Sequence, residues 1–220
     1  MLNLPIHDLP TRSASGFLIR YILPRSIPPQ LVGPLDRKVS FTTLTIGDAI
    51  IGVGHGSPTE FCGHNNEVIL DITSIPDVKD KVVILISCET AQRLGQSLIN
   101  AGALSYIGWN DDLVWVCDSD LASTPWSDKM ALTVMGPITD CVNIILDGRT
   151  VGEAYNTMLR ELSENAEVEE DELVKACLEF NRKNAVLLGS GDATIRKRPP
   201  LPLPFKLIPP PPPIVLPFRA

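Results

Sequence analysis

Apolar positions along the chain alternate between strand-like and helix-like patterns. The run FTTLTIGDAIIGV (41–53) is β-branched and apolar, and it stops at Gly54-His55-Gly56, so it reads as a buried strand ending in a glycine-rich loop. VVILIS (82–87) is apolar without alternation, the pattern of a strand covered on both faces, and it ends at Cys88. The following ETAQRLGQSLINAG places Ala91, Leu94, Leu98 and Ala101 at helical spacing, with Gly102 at the C-terminal stop, so a helix is expected to open directly after Cys88. LSYIGW (104–109) reads as the next strand. Strand, helix and strand joined by short links imply a right-handed crossover and a parallel sheet.

Beyond a loop over 110–127 the pattern turns helical. Helices are expected at 129–146, with a kink at Gly136-Pro137, at 150–162, and at 169–184, where Leu173, Ala176, Cys177 and Phe180 share a face. AVLLG (185–189) reads as a last strand. Prolines at 5, 10, 24, 28, 29 and 34 predict an extended, irregular segment over 1–40 with at most one short strand, Phe17–Ile22. Residues 199–220 are about half proline and favour polyproline II, which builds no core alone. The expected organisation is a proline-rich N-terminal segment (1–40), an α/β domain (41–195) and a proline-rich tail (196–220). No internal repeat is visible.

At 220 residues and 44% hydrophobic content, the chain can bury one substantial core. A net charge of -7 argues against a nucleic-acid partner, since phosphate neutralisation needs a basic surface. Five cysteines, an odd count without close paired spacing, disfavour a disulfide framework and suit a reducing compartment. No run has signal-peptide or membrane-span character, so a cytoplasmic protein without a membrane partner is expected.

Two strand ends carry chemistry: Gly54-His55-Gly56-Ser57 and Ser87-Cys88-Glu89-Thr90-Ala91. Both lie where open α/β sheets place their sites, at the carboxyl ends of strands. If the strands are neighbours, His55 and Cys88 meet across the sheet edge. A helix opening after Cys88 would favour its thiolate, and His55 could accept its proton, making Cys88 the most reactive of the five cysteines at neutral pH. The Gly56 and Cys88 backbone N–H groups are the candidate oxyanion donors.

GHGS (54–57) with VVILISCETAQRLGQSLINAGALSYIGW (82–109) resembles the caspase-related cysteine peptidases, particularly the gingipain-like and CHAT-domain branches. AVLLGSGDATI (185–195) is similar to the late Gly-Asp strand end of gingipain-like domains. The resemblance implies a caspase-like three-layer α/β sandwich with a short, mostly parallel sheet, reduced at the N-terminus. It also implies His55 as general base, Cys88 as nucleophile and Gly56 as oxyanion donor. By the same analogy Asp111 and Asp112 would recognise a basic P1 residue of a peptide or protein substrate; as solvated turn residues they would need no function.

The resulting expectation is a cysteine endopeptidase that needs no cofactor and no metal. A zinc site built from His55, Cys62, His64 and Cys88 is the disfavoured alternative, because Cys62-Gly63-His64 is not a usual ligand spacing. Two other readings stand beside the endopeptidase. One is an inactive caspase-like interaction protein that assembles with other subunits through residues 199–220; the other is a protease-like module activated when a partner reshapes its loops. Cys117, Cys141 and Cys177 are expected to be packing residues, with Trp109 and Trp115 packed beneath the site loop.

Overall fold

The computed structural model describes residues 2–5, 7–22, 30–32, 48–121 and 123–195. The proline-rich tail, and with it the expected docking segment 199–220, lies outside the described residues, as does the 41–47 part of the first long strand run. The central sheet has six strands in the order β2-β1-β3-β7-β8-β9. These are β1 (Leu2–Leu4), β2 (Gln30–Val32), β3 (Ala49–Val53), β7 (Val82–Ile86), β8 (Ser105–Trp109) and β9 (Ala185–Gly189). All neighbours run parallel except the edge pair of β8 and β9. Between β3 and β7 the chain leaves the sheet and forms a small antiparallel sheet, β4 (His55–Gly56), β5 (Glu60–Cys62) and β6 (Val68–Asp71).

The unbroken apolar run of β7 follows from burial on two faces. Val82, Ile84 and Ile86 join one core with Ile51, Val53, Ile107 and Trp109 of the neighbouring strands. Val83 and Leu85 join the other with Ile50 and Tyr106. Four helices close the first core: α1 (Leu9–Tyr21), α3 (Lys129–Leu146), α4 (Val151–Val168) and α5 (Glu172–Asn184). The second core is covered by α2 (Leu94–Asn100), which contributes Leu94 and Leu98, and by Phe61, Ile69 and Leu70 of the small sheet. Helix, sheet and helix form the expected three-layer sandwich. By composition α3 is long and apolar enough to cross a membrane, but its apolar face, with Val134, Ile138, Val142 and Ile145, fills the first core.

The N-terminal segment departs from its expected extended form. It supplies β1, α1 and β2, and the expected strand at Phe17–Ile22 is the C-terminal part of α1 and its cap. Helix rather than strand places Ala14, Phe17 and Leu18 on one buried face. The proline reading failed for a physical reason: Pro10 stands in the first helical turn, where a missing N–H costs nothing. Just ahead, Asp8 caps the helix. Its carboxylate accepts from the Thr11 N–H (2.9 Å), and the Thr11 hydroxyl accepts in turn from the Asp8 N–H (3.4 Å).

A further boundary differs, whereas α3 keeps its expected ends. The expected helix from Glu89 begins only at Leu94, although it stops as predicted, with Gly102 at φ 102°. The α3 helix runs continuously from Lys129 to Leu146 with Pro137 inside it.

Candidate active site

Strands β3 and β7 are direct parallel neighbours, with Val53 opposite Ile86. His55 and Cys88 each follow two residues later, past the same edge of the sheet. Both line a single pocket of about 380 Å3. Its other walls are Pro10, Thr11 and Ala14 of α1 and the loop carrying Asp112, Leu113, Val114, Trp115 and Cys117. No hydrogen bond joins His55 to Cys88 among the described residues.

His55 has a partner that the sequence reading missed. Its Nε2 lies 2.6 Å from Oδ2 of Asp8, the residue that caps α1. Burial pushes the Asp8 carboxyl up, but hydrogen bonds from Thr11 and His55 and the charge of His55 outweigh it and lower the pKa from 3.8 to about 2. Asp8 is therefore ionised at neutral pH, so the proton of this contact sits on Nε2, which donates to the carboxylate. The other ring nitrogen, Nδ1, is left as the basic one. The signal for Asp8 was present as Asp-Leu-Pro-Thr, a capping residue followed by a first-turn proline and a hydroxyl at the third helical position.

Cys88 sits at a turn rather than at a helix start, which corrects the expected thiolate-favouring dipole. The turn is held by the rest of the fold: Glu89 N–H donates to Asp111 O (3.0 Å), Ala91 N–H to Trp109 O (3.0 Å), and Leu94 N–H, which a longer helix would direct to Thr90 O, to Pro58 O (2.9 Å). Glu89 itself takes φ 57°, a left-handed conformation costly for a side chain with a Cβ. Beneath the turn, Tyr106 OH donates to Thr90 Oγ1 (2.8 Å), and the Ser87 and Thr90 hydroxyls are bonded at 3.0 Å. Only glycine at 108 leaves room for that phenol: a Cβ there would stand 2.2 Å from the Tyr106 oxygen.

The Cys88 thiol is pushed above its usual range. Burial is the main cause, and the nearby Asp112 and Glu89 carboxylates add to it against the opposing Leu113 N–H, which donates to the sulfur at 3.5 Å. A thiol so placed needs a base before it can attack. Leu113 is placed by a fully buried side chain on α5. Asn181 Oδ1 accepts from Val114 N–H (3.0 Å), and its Nδ2 donates to Val114 O (2.5 Å), which pins this pocket wall.

Gly56 packs directly on the Cys88 backbone, and a Cβ on it would stand 2.3 Å from the Cys88 carbonyl oxygen. Ser57 N–H donates to Glu60 O across the β4–β5 turn (2.9 Å). Antiparallel pairs alternate, so Gly56 opposite Phe61 is a non-bonded pair and its N–H faces away from β5. Of the acidic pair, Asp112 lines the pocket and Asp111 does not. The Asp111 carbonyl and carboxylate instead hold the backbone N–H groups of Glu89 and Asp112. Trp109 is fully buried in the core, whereas Trp115 and Cys117 line the pocket; Cys141 and Cys177 are buried packing residues.

No family profile and no curated protein matches the sequence. Two solved structures share its fold. The complex of Porphyromonas gingivalis RgpB pro- and mature domains superposes with a TM-score of 0.51 at 14% identity, over 85% of this chain and 43% of that one. The Arg specific cysteine proteinase gingipain R superposes with a TM-score of 0.50 at 13% identity, over 85% and 42%. The chain has the caspase-like fold of gingipain R. It spans less than half the length of these neighbours, and at such identity the likeness concerns the arrangement of sheet and helices rather than the chemistry.

Proposed function

We propose that the chain is a caspase-like cysteine endopeptidase in which Cys88 is the nucleophile, His55 the general base and Asp8 the residue that orients His55. The observation that carries this reading is the register of β3 and β7, which puts His55 and Cys88 two residues beyond a paired Val53 and Ile86 on the wall of one pocket. The Asp8 contact supports it by fixing the tautomer, so that Nδ1 is free to take the thiol proton. The sulfur then attacks the scissile carbonyl. The oxyanion is held by the Gly56 and Cys88 N–H groups, His55 returns the proton to the leaving amine, and water completes hydrolysis of the acyl-enzyme.

Substrate preference is assigned to basic P1 residues. The pocket is mostly apolar, with Ala14, Val53, Ile86, Leu113 and Val114, and carries one acid, Asp112. An Arg or Lys can bury its aliphatic stem against such walls and leave its charge at the carboxylate. A basic P1 residue also offsets the two carboxylates that add to the effect of burial on the Cys88 thiol, so the correct substrate would favour its own nucleophile. Asp111, held by backbone contacts, would add charge at longer range.

A second reading has a specific observation behind it. The raised Cys88 thiol and the absent hydrogen bond to His55 describe a resting site, which suits the module that a partner or ligand must reshape before it cuts.

Digestion of a peptide library by the full chain, read by mass spectrometry beside Cys88→Ala and His55→Ala, tests the proposal. Cleavage after Arg or Lys that disappears in both variants is expected. Cleavage surviving in Cys88→Ala, or none in the wild type under any reducing condition, would overturn it.

A further inference from the structure

All three histidines of this chain gather at one place. His7 packs edge-on against His55, with ring centroids 5.8 Å apart, and against His64 at 5.2 Å. Peptidase chemistry uses only one of them. His7 stands out, because both its ring nitrogens are buried and neither has a hydrogen-bond partner among the described residues, although Nε2 lies 3.2 Å from Asp8 Oδ2. A buried imidazole whose Nδ1 has no such partner and whose Nε2 meets only that carboxylate is costly, and a bound ion or water is a common explanation of such a group.

We propose that His7, Asp8 and His55 form a zinc site. One ligand atom from each lies within 4.8 Å of the other two. Two imidazoles and a carboxylate are a donor set that zinc accepts, with a fourth, exchangeable position for water; two nitrogen donors disfavour calcium and magnesium. Nearest approaches of 2.6 Å between His55 and Asp8 and 3.2 Å between His7 and Asp8 need side-chain shifts of well under about 1 Å to admit an ion at zinc–ligand lengths of about 2.0–2.2 Å. His64 is not one of the three; its ring meets His7 edge-on. The set differs from the disfavoured alternative of His55, Cys62, His64 and Cys88, of which only His55 takes part.

Coordination would switch the base off. Zinc occupies the His55 nitrogen that otherwise donates to Asp8, and the single proton of the neutral ring moves to the other nitrogen. That nitrogen then has no lone pair for the Cys88 proton, so the loaded protein is the inactive one. This consequence rests on His55 being the base, as proposed above; the metal site does not.

The test keeps the two apart by using the full chain with Cys88→Ser, which removes the reactive thiol. Zn2+ is titrated in competition with a chromophoric chelator, and Co2+ serves as a visible-absorption probe of tetrahedral geometry. One ion per chain is expected, with affinity lower by about 100-fold or more in His7→Ala and in His55→Ala, since even outer partners of ligands are worth about 10–100-fold. His64→Ala should lose far less. Should His7→Ala fold poorly by circular dichroism, His7→Gln replaces it. Absence of saturable binding, or equal affinity in the His7 and His55 variants and the parent, would overturn the site. Zinc binding in a chain that cleaves no peptide would uphold the site and overturn only the peptidase reading.

Discussion

His55 Nε2 and Asp8 Oδ2 lie 2.6 Å apart, although 47 residues separate them in sequence. The contact joins the cap of the first helix to β4, just past the end of β3, and it holds the imidazole in one tautomer. Asp8→Asn keeps the helix cap, because asparagine caps about as well as aspartate. It removes the charge that selects the tautomer. We expect kcat to fall by on the order of 10²-fold or more with little change in KM, as for other triads whose orienting acid is neutralised. Steady-state kinetics on an Arg-P1 peptide checks it, and wild-type kcat in the variant would remove Asp8 from the site.

The same carboxylate shapes acid stability. Asp8 has its pKa lowered from 3.8 to about 2 on folding, so its contribution to stability is complete above the unfolded value and is lost as pH falls through about 2. Urea titrations between pH 5 and 2 should show a steeper loss for the wild type than for Asp8→Asn, with the curves converging at the acid end. Parallel curves would mean that the contact contributes no linkage.

Much of the candidate site was legible because His55 and Cys88 follow strands whose apolar character is unmistakable, and because glycines flank His55. Val82–Ile86 must be buried on both faces, and parallel pairing then brings Cys88 beside His55. Asp8 was hidden by composition. The prolines near it read as breakers, and only the Asp-Leu-Pro-Thr spacing reveals that Pro10 begins a helix. The turn at Glu89 was hidden as well. Ala91, Leu94 and Leu98 have helical spacing, but Glu89 takes φ 57° and the Leu94 N–H, which a longer helix would direct to the Thr90 carbonyl, is captured by the Pro58 carbonyl, a tertiary competition that no local pattern records. Asn181 is a similar case, a polar residue on an otherwise apolar helix face whose partner lies 67 residues away.

Alkylation reports on the resting thiol. With its pKa raised by burial and by neighbouring carboxylates, Cys88 should react slowly with iodoacetamide at pH 7, and its rate should climb with pH beyond the usual thiol range. Cys141, pushed up to about 12 by burial, should stay unlabelled throughout in the folded chain. Asp112→Asn should raise the Cys88 rate at pH 8 severalfold while raising KM for Arg-P1 peptides by roughly tenfold, because one carboxylate both disfavours the thiolate and receives the substrate cation. Peptide mapping by mass spectrometry separates the cysteines. An unchanged rate together with an unchanged KM would place Asp112 outside the chemistry.

Gly56 gives the sharpest steric test. Its missing Cβ is what lets β4 lie on the Cys88 backbone: an added methyl would meet the Cys88 carbonyl oxygen at 2.3 Å and Thr90 Cγ2 at 2.7 Å. A flexible side chain could swing aside, but the carbonyl belongs to a turn fixed by Glu89 N–H on Asp111 and by the buried Ser87–Thr90–Tyr106 hydroxyl chain. Gly56→Ala must therefore push the β4–β5 hairpin and the Cys88 turn apart. The cost should be about 1–3 kcal/mol of stability, the usual range for overpacking. The displacement also moves both proposed oxyanion donors, so activity should fall by on the order of 10²-fold or more even where the variant remains fully folded. Thermal unfolding and peptide cleavage, measured on the same sample, separate the two effects. Gly54→Ala is the control: its Cβ would meet the Cys62 carbonyl, so it strains the hairpin without touching the Cys88 turn. Equal activity losses in the two variants at equal stability would show that Gly56 acts only through the fold.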